Sequence, residues 1–169
     1  AKLGYTAVFE PAVLPSNSRS AIIEMSDIPL IDKGTYTVLS NDDFLLKLIQ
    51  KKSNQKKIND YVAWIIQSTK SLGIKIVNPG GINAFKFNQR ELDLDEKNKK
   101  YNITPRSILK VLTKSLIDLK APHPIHVHGC NLGVPGNVKT TLKQINAVEG
   151  KPMHLTHIQY HSYNNEGDR

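Results

Sequence analysis

The sequence predicts an α/β fold with a parallel sheet, of the kind found in part of a TIM-type (β/α)8 barrel. Short apolar runs alternate with segments of helical period along the 169 residues, and a repeated strand–helix order favours parallel strands with helical crossovers. Four strands are predicted, about half of an eight-stranded barrel of roughly 250 residues. An open doubly wound sheet is the alternative. It is weakened because the turn from Gly129 to Gly136 lacks the GxGxxG dinucleotide fingerprint.

Each helix is predicted from its period and its end signals. Asn41 or Asp42 is the expected N-cap of the first helix, and Gly73 the expected C′ residue of the second. Pro105 occupies the first turn of the third helix. The predicted elements are, in chain order, a strand at 3–10, helices at 41–52 and 55–71, a strand at 74–77, an excursion loop at 83–101, a helix at 105–119, a strand at 124–128, a helix at 137–148 and a strand at 151–158.

Composition excludes several classes of protein. The chain has 39% apolar and 22% charged residues, which suits a globular core, and no run approaches the roughly 18 apolar residues of a membrane span. The formal charge of +8 comes from scattered lysines without interleaved aromatic side chains, which argues against nucleic-acid binding. The single cysteine, Cys130, suits a reducing cytoplasm. It is interpreted as a packed thiol in preference to a metal ligand.

Lys75 stands out because it interrupts an apolar strand. It lies between Ile74 and Ile76, where an unpaired ammonium is costly to bury. One interpretation places it at a sheet edge with its charge reaching water. The other uses the ease with which a buried lysine loses its proton. A neutral amine can add carbon dioxide and become a carbamate, an oxygen ligand able to bridge two metals.

All six histidines fall between His123 and His161, in and around the last two predicted strands. His126 and His128 are two residues apart and therefore point to one side of their strand. His128 and His157 lie near the carboxyl ends of their strands, where a barrel presents its active site. His154 is expected on the face opposite to His157. Histidine is the commonest neutral metal ligand, so the pattern indicates a metal site.

These segments resemble the A subunit of formylmethanofuran dehydrogenase and the homologous subunit of the formyltransferase/hydrolase complex of methylotrophic bacteria, both in the amidohydrolase superfamily. The resemblance covers nearly the whole chain. The matching segments are 4–12, 61–64, 73–81, 123–128, 131–137, 140–142 and 154–162.

The resemblance implies a barrel that holds two zinc ions. In the superfamily pattern the first strand supplies a His-x-His pair, the fourth a carboxylated lysine, the fifth and sixth one histidine each, and the eighth an aspartate. By position the three metal ligands in this chain are Lys75, His128 and His157, with carboxylated Lys75 bridging the zinc ions. The His-x-His pair and the aspartate would lie outside residues 1–169. The chain is therefore expected to be the central part of one barrel domain, about strands 3 to 6, and inactive alone.

The implied activity is the interconversion of formylmethanofuran with formate and methanofuran, a reaction of one-carbon metabolism and methanogenesis carried out in a complex with other subunits. Asn78 and Asn131 follow strands and are candidates for orienting substrate amide groups, although both also suit turns. Two alternatives stay open. One is a cyclic-amide hydrolase of the hydantoinase or dihydroorotase type, which would share Lys75 and the histidines. The other is a non-catalytic assembly subunit.

Overall fold

The computed structural model describes residues 2–81 and 92–166. Within them, one sheet contains five strands in the order β1-β2-β3-β4-β5, and every neighbouring pair is parallel. The prediction of an α/β fold with a parallel sheet is confirmed. The strands are β1 (Ala7–Val13), β2 (Asp32–Val38), β3 (Gly73–Val77), β4 (Ile125–His128) and β5 (Met153–Leu155).

The helices connect consecutive strands, and their ends follow from capping chemistry. The Asp42 carboxylate accepts the Leu45 N–H at 2.8 Å and begins the second helix. Thr104 caps the fourth helix, with Pro105 in its first turn. The helices are α1 (Ser18–Ser26), α2 (Asp43–Gln50), α3 (Gln55–Thr69), α4 (Pro105–Asp118) and α5 (Asn137–Ala147).

The hydrophobic core lies between the helices and one face of the sheet. Ile74 and Ile76 of β3 and Ile125 and Val127 of β4 are at most 1% exposed. They pack against the apolar side chains of the helices. The helix residues in this core are Leu45, Leu46 and Leu48 of α2, Ile58, Val62 and Ile65 of α3, Ile108, Leu109, Leu112 and Leu116 of α4, and Ala147 of α5.

The strand order bears on the choice between a barrel and an open doubly wound sheet. In a doubly wound sheet the order reverses at a switch point, so that helices cover both faces. Here neighbours in sequence are neighbours in the sheet throughout the described strands. This sequential order is the one that a barrel uses.

The structure corrects several of the predicted elements. Among the described residues five strands are present where four were predicted, because β2 was not recognised, and the short helix α1 was also missed. The first strand covers Ala7–Val13 and not 3–10. Helix α3 ends at Thr69, followed by Lys70 with a left-handed φ of 56°, and Gly73 is the first residue of β3, not the C′ residue of the helix. The last strand covers only Met153–Leu155 of the predicted 151–158.

The predicted excursion loop at 83–101 is described only from residue 92. Residues 82–91 lie outside the described residues. Residues 92–101 form turns, yet Leu94 and Tyr101 are buried. Asp93 accepts hydrogen bonds from Thr140 at 3.0 Å and from Lys143 at 2.8 Å. This part of the loop is thus fastened to α5. Among the described helices, none is long and apolar enough to cross a membrane.

Candidate metal centre

The second face of the sheet carries polar side chains at the positions that alternate with the core. Lys75 of β3 is in register with His126 of β4, which is in register with His154 of β5. His128 lies two residues beyond His126 and therefore projects to the same side. The period of two places the isoleucines against the helices and gathers the lysine and the histidines on the opposite face.

Lys75 is buried on this face, and no acidic side chain pairs with it in the part of the chain that the structure describes. Its side chain is the only Lys, Arg, Asp or Glu among the described residues that is fully buried, at 2% exposure. Its Nζ lies 2.7 Å from His126 Nδ1 and 3.2 Å from Thr156 Oγ1. Burial lowers the pKa of Lys75 to about 8, because an ammonium loses hydration in this environment. The interpretation of Lys75 as an edge residue with its charge in water is therefore wrong.

His128 and His157 meet at the carboxyl ends of β4 and β5. Their ring centroids are 5.4 Å apart, with the rings edge to face. Burial, together with the nearby Lys75 and His157 charges, lowers the pKa of His128 to about 4. Its imidazole is therefore neutral at physiological pH, the form that binds a metal. His157 lies beyond the end of β5 with a left-handed φ of 55° and is exposed.

His154 does not lie on the face that was predicted. Its ring stacks on that of His126 with centroids 4.5 Å apart, and His126 stacks in turn on Tyr36 of β2 at 5.0 Å. His154 therefore shares the polar face. The prediction counted alternate residues back from His157, and this count fails because the chain leaves the strand conformation after Leu155.

His161 is turned toward helix α5. It is 1% exposed, and its Nδ1 lies 3.2 Å from the Thr141 hydroxyl. Its Nε2 has no hydrogen-bond partner among the described residues. A Cβ on Gly129 would come within 2.9 Å of the His161 ring, so the turn after β4 depends on a glycine to accommodate it. The His161 ring thus lies between the turn after β4 and helix α5.

Asn78 directly follows β3, and Asn131 lies in a turn three residues beyond the end of β4. Both have left-handed backbones, with φ of 38° and 55°, which asparagine tolerates better than most residues. The Asn78 N–H donates to the His128 carbonyl at 3.0 Å. The Asn131 Oδ1 accepts the Leu92 N–H at 3.4 Å, and the Asn131 carbonyl accepts from Asn137 at 3.0 Å. The turn role of both residues is confirmed, and their contact with substrate stays a prediction.

Cys130 is a packed thiol. It is 3% exposed, and its N–H donates to Gln144 Oε1 at 3.0 Å. Burial raises the pKa of Cys130 to about 12, which disfavours the thiolate that a metal requires. The preferred interpretation of Cys130 from the sequence is supported by these contacts.

Sequence reasoning missed Thr156, which contacts Lys75. The available signal was that Thr156 directly precedes the candidate ligand His157. The direction of the Thr156 side chain, however, depends on where β5 ends. Asn41 was considered only as a helix N-cap, a position that Asp42 occupies. Its side-chain amide instead donates to the Val77 carbonyl at 2.6 Å, at the end of β3.

The donor set in this chain suits part of a zinc site. Within residues 2–81 and 92–166, no three His, Cys, Asp or Glu side chains are arranged to hold a metal ion. His128 and His157 are two imidazoles at one edge, and Lys75 lies on the same face as His128. Imidazole nitrogen suits zinc, so His128 and His157 fit two positions of such a site, whereas Lys75 would offer an oxygen ligand only as a carbamate.

Two curated proteins and one solved structure are similar to nearly the whole chain. The A subunit of the formyltransferase/hydrolase complex Fhc of Methylorubrum extorquens is 37% identical over 163 residues, and protein FwdA of Methanocaldococcus jannaschii is 38% identical over 173 residues. Each alignment covers 96% of this chain and 30% of the relative. A comparison with models of known protein families finds no match.

The solved structure is the crystal structure of the formyltransferase/hydrolase complex FhcABCD of Methylorubrum extorquens with methylofuran. One chain of it superposes with a TM-score of 0.94 at 37% identity, covering 96% of this chain and 30% of that chain. The chain described here is thus homologous to FwdA and to the A subunit of the Fhc complex. It spans less than a third of the length of these relatives.

Proposed function

We propose that this chain is the central part of an A-type subunit that interconverts formylmethanofuran with formate and methanofuran at a two-zinc centre. The observation that carries the proposal is Lys75. It is buried at 2% exposure with no acidic partner among the described residues, on the polar face from which His128 projects. A lysine buried in this way destabilises the fold. Conversion of its amine to a metal ligand would explain why the residue is there. Homology to FwdA and to the A subunit of the Fhc complex supports the same assignment.

We place the five strands in an amidohydrolase-type barrel. The sequential strand order and the single helix-covered face support this placement. With Lys75 on the fourth barrel strand, β1 to β5 become strands 2 to 6, one more than the sequence predicted. Phe9 on the edge strand β1 is 51% exposed, as expected of a strand that a neighbouring strand covers in the full-length protein.

Lys75 as a carbamate, together with His128 and His157, would hold the zinc ions, and the other ligands would come from parts of the full-length protein beyond this chain. Bound zinc would polarise the formamide carbonyl and increase the acidity of a water molecule. His128 keeps its lone pair available because its pKa is about 4. Asn78 and Asn131 lie in the turns beyond the carboxyl ends of β3 and β4, where their side chains would orient the substrate amide.

The substrate and partners follow from the relatives. The structure of the homologous complex contains methylofuran and four kinds of subunit by its name, so we propose a methanofuran-type substrate and companion subunits for this protein. We also propose a cytoplasmic location, which agrees with the single buried thiol of Cys130. Neither a nucleic acid nor a membrane has a role in the proposed reaction.

The proposal is tested by measuring formate release from formylmethanofuran by the full-length protein. Wild-type protein should release formate. The His128→Ala variant should release formate more than about a hundredfold more slowly, because loss of a residue that only supports a metal ligand can already reduce activity by that factor. His123→Ala is the matched control, since His123 lies before the amino end of β4, and it should keep wild-type activity. Absence of formate release by the zinc-loaded wild-type protein with its companion subunits would instead favour a non-catalytic role.

A further inference from the structure

Thr156 brings its hydroxyl to the amine of Lys75. Its Oγ1 lies 3.2 Å from Lys75 Nζ and 3.1 Å from the Val127 carbonyl oxygen. The Thr156 backbone N–H also donates to that carbonyl, at 3.0 Å. The Thr156 hydroxyl therefore lies between the Val127 carbonyl, which can only accept a hydrogen bond, and the Lys75 amine, which can donate one.

This arrangement fixes the direction of each hydrogen bond. A hydroxyl has one hydrogen, and a carbonyl can only accept, so the Thr156 hydrogen points to Val127. The oxygen lone pairs then face Lys75 and accept an N–H of its amine. The contact of Nζ with His126 Nδ1 at 2.7 Å has no such fixed direction, because it depends on which ring nitrogen carries the proton.

We propose that Thr156 is a positioning residue for the carboxylation of Lys75, an inference that rests on the proposed function. In that step the nitrogen lone pair forms an N–C bond to carbon dioxide. One C=O electron pair moves onto oxygen, and one N–H proton leaves to water. The carbamate keeps one N–H. Thr156 accepts an N–H hydrogen bond in both forms, and because a carbamate is planar, this hydrogen bond sets the plane in which its two oxygens lie.

Removal of the hydroxyl is compatible with the fold. In a Thr156→Val variant the side chain keeps its shape, and the Val127 carbonyl still accepts the backbone N–H of residue 156. A Thr156→Ser variant keeps the hydroxyl in place. Thr113 of α4 provides a matched control, since it is 4% exposed and its hydroxyl has no hydrogen-bond partner among the described residues.

The experiment measures carbamate on Lys75 in the metal-free full-length protein. The protein is equilibrated with increasing 13C-labelled bicarbonate at constant pH, and the carbamate carbon is followed by 13C NMR. Thr156→Val should raise the half-saturating carbon dioxide concentration by up to about tenfold, because the loss of one hydrogen bond changes an equilibrium constant by up to roughly this factor. Thr156→Ser should restore most of the wild-type value, and Thr113→Val should leave it unchanged. Thermal unfolding of each variant confirms that it is folded.

The outcomes separate this inference from the proposed function. Absence of carbamate on wild-type Lys75 of the metal-free protein would overturn the positioning role, whereas the proposed function would fail only if the zinc-loaded protein with its companion subunits released no formate. Carbamate in the wild type with the same half-saturation in Thr156→Val would overturn the positioning role alone, as would a serine variant that behaves like valine. If Thr156→Val fails to fold, Thr156→Cys replaces it in the comparison with Thr156→Ser. The cysteine sulfur is a weak hydrogen-bond acceptor, so Thr156→Cys should raise the half-saturating carbon dioxide concentration in the same way.

Discussion

The two faces of the sheet are built from alternate residues of the same strands and have opposite chemistry. On β3, Ile74 and Ile76 are fully buried against helices, whereas Lys75 between them is buried beside His126 and Thr156. On β4, Ile125 and Val127 alternate with His126 and His128 in the same way. The comparison shows that one strand can supply stability on one side and a costly reactive group on the other, because the strand period is two.

Ile76→Ala is expected to give the largest change in stability. The side chain is 0% exposed in the helix-covered core, and truncation of a buried isoleucine removes about 2 to 5 kcal/mol from the free energy of unfolding. Zinc content per folded molecule should not change, because Ile76 faces away from Lys75. Denaturant unfolding and metal analysis of the full-length protein would check both points. An unchanged free energy of unfolding in Ile76→Ala would show that the helix-covered face of the sheet is not the hydrophobic core.

Lys75→Met should act in the opposite direction on the other face of the same strand. In metal-free protein without carbon dioxide, replacement of the buried amine by an apolar chain should increase stability at pH 7 by roughly 1 to 3 kcal/mol. The pKa of Lys75 is lowered from 10.5 to about 8, so the unfolded chain binds more protons between these values. Wild-type stability should therefore rise with pH through this window, and the advantage of methionine should shrink.

The control for this comparison is Lys110→Met. Lys110 lies on the surface and forms an ion pair with Glu149 at 2.5 Å, and surface pairs contribute little. Its stability should change little. Because Lys75 is still present in this variant, its stability should rise with pH between about 8 and 10.5 as in the wild type. Equal behaviour of the two lysine variants would mean that burial of Lys75 carries no energetic cost.

Asp42→Ala tests how the helices are held over the apolar face and should have the smallest effect of the three. The Asp42 carboxylate accepts the Leu45 N–H at 2.8 Å and the Tyr61 hydroxyl at 2.9 Å. Loss of an N-cap of this type costs about 1 kcal/mol, with a further contribution from the Tyr61 hydrogen bond. The midpoint of denaturant unfolding would measure the loss. Asp42→Asn, which keeps a cap acceptor, should recover most of it.

Much of the core and the starts of α2 and α4 were predictable from the sequence. The stripes of α3 and α4 repeat at helical spacing, and Asp42 and Thr104 mark helix starts by residue type. Strand β2 was missed because its side chains include Thr35, Tyr36 and Thr37, whose burial depends on neighbouring strands and on α3. The Thr37 hydroxyl, for example, meets Thr69 of α3 at 3.0 Å. The β-branched and aromatic residues of β2 are typical of a strand and could have indicated it.

The candidate site was predictable in part. His126 and His128 were placed correctly on one side of their strand, since β4 extends through both residues. The face of His154 and the contact of Thr156 were not predictable, because β5 ends at Leu155 and the backbone at His157 turns left-handed. Alternation along a strand carries no information beyond the residue where the strand ends.

Zinc content of the full-length protein is the most direct test of the central claim that Lys75, His128 and His157 belong to one metal centre. Wild-type protein should contain two equivalents by elemental analysis, and Lys75→Ala, His128→Ala and His157→Ala should each lose zinc. Lys110→Ala and His123→Ala, matched in residue type but away from the carboxyl edge, should retain both equivalents. Full zinc content together with full activity in Lys75→Ala would contradict the assignment of Lys75 as a metal ligand.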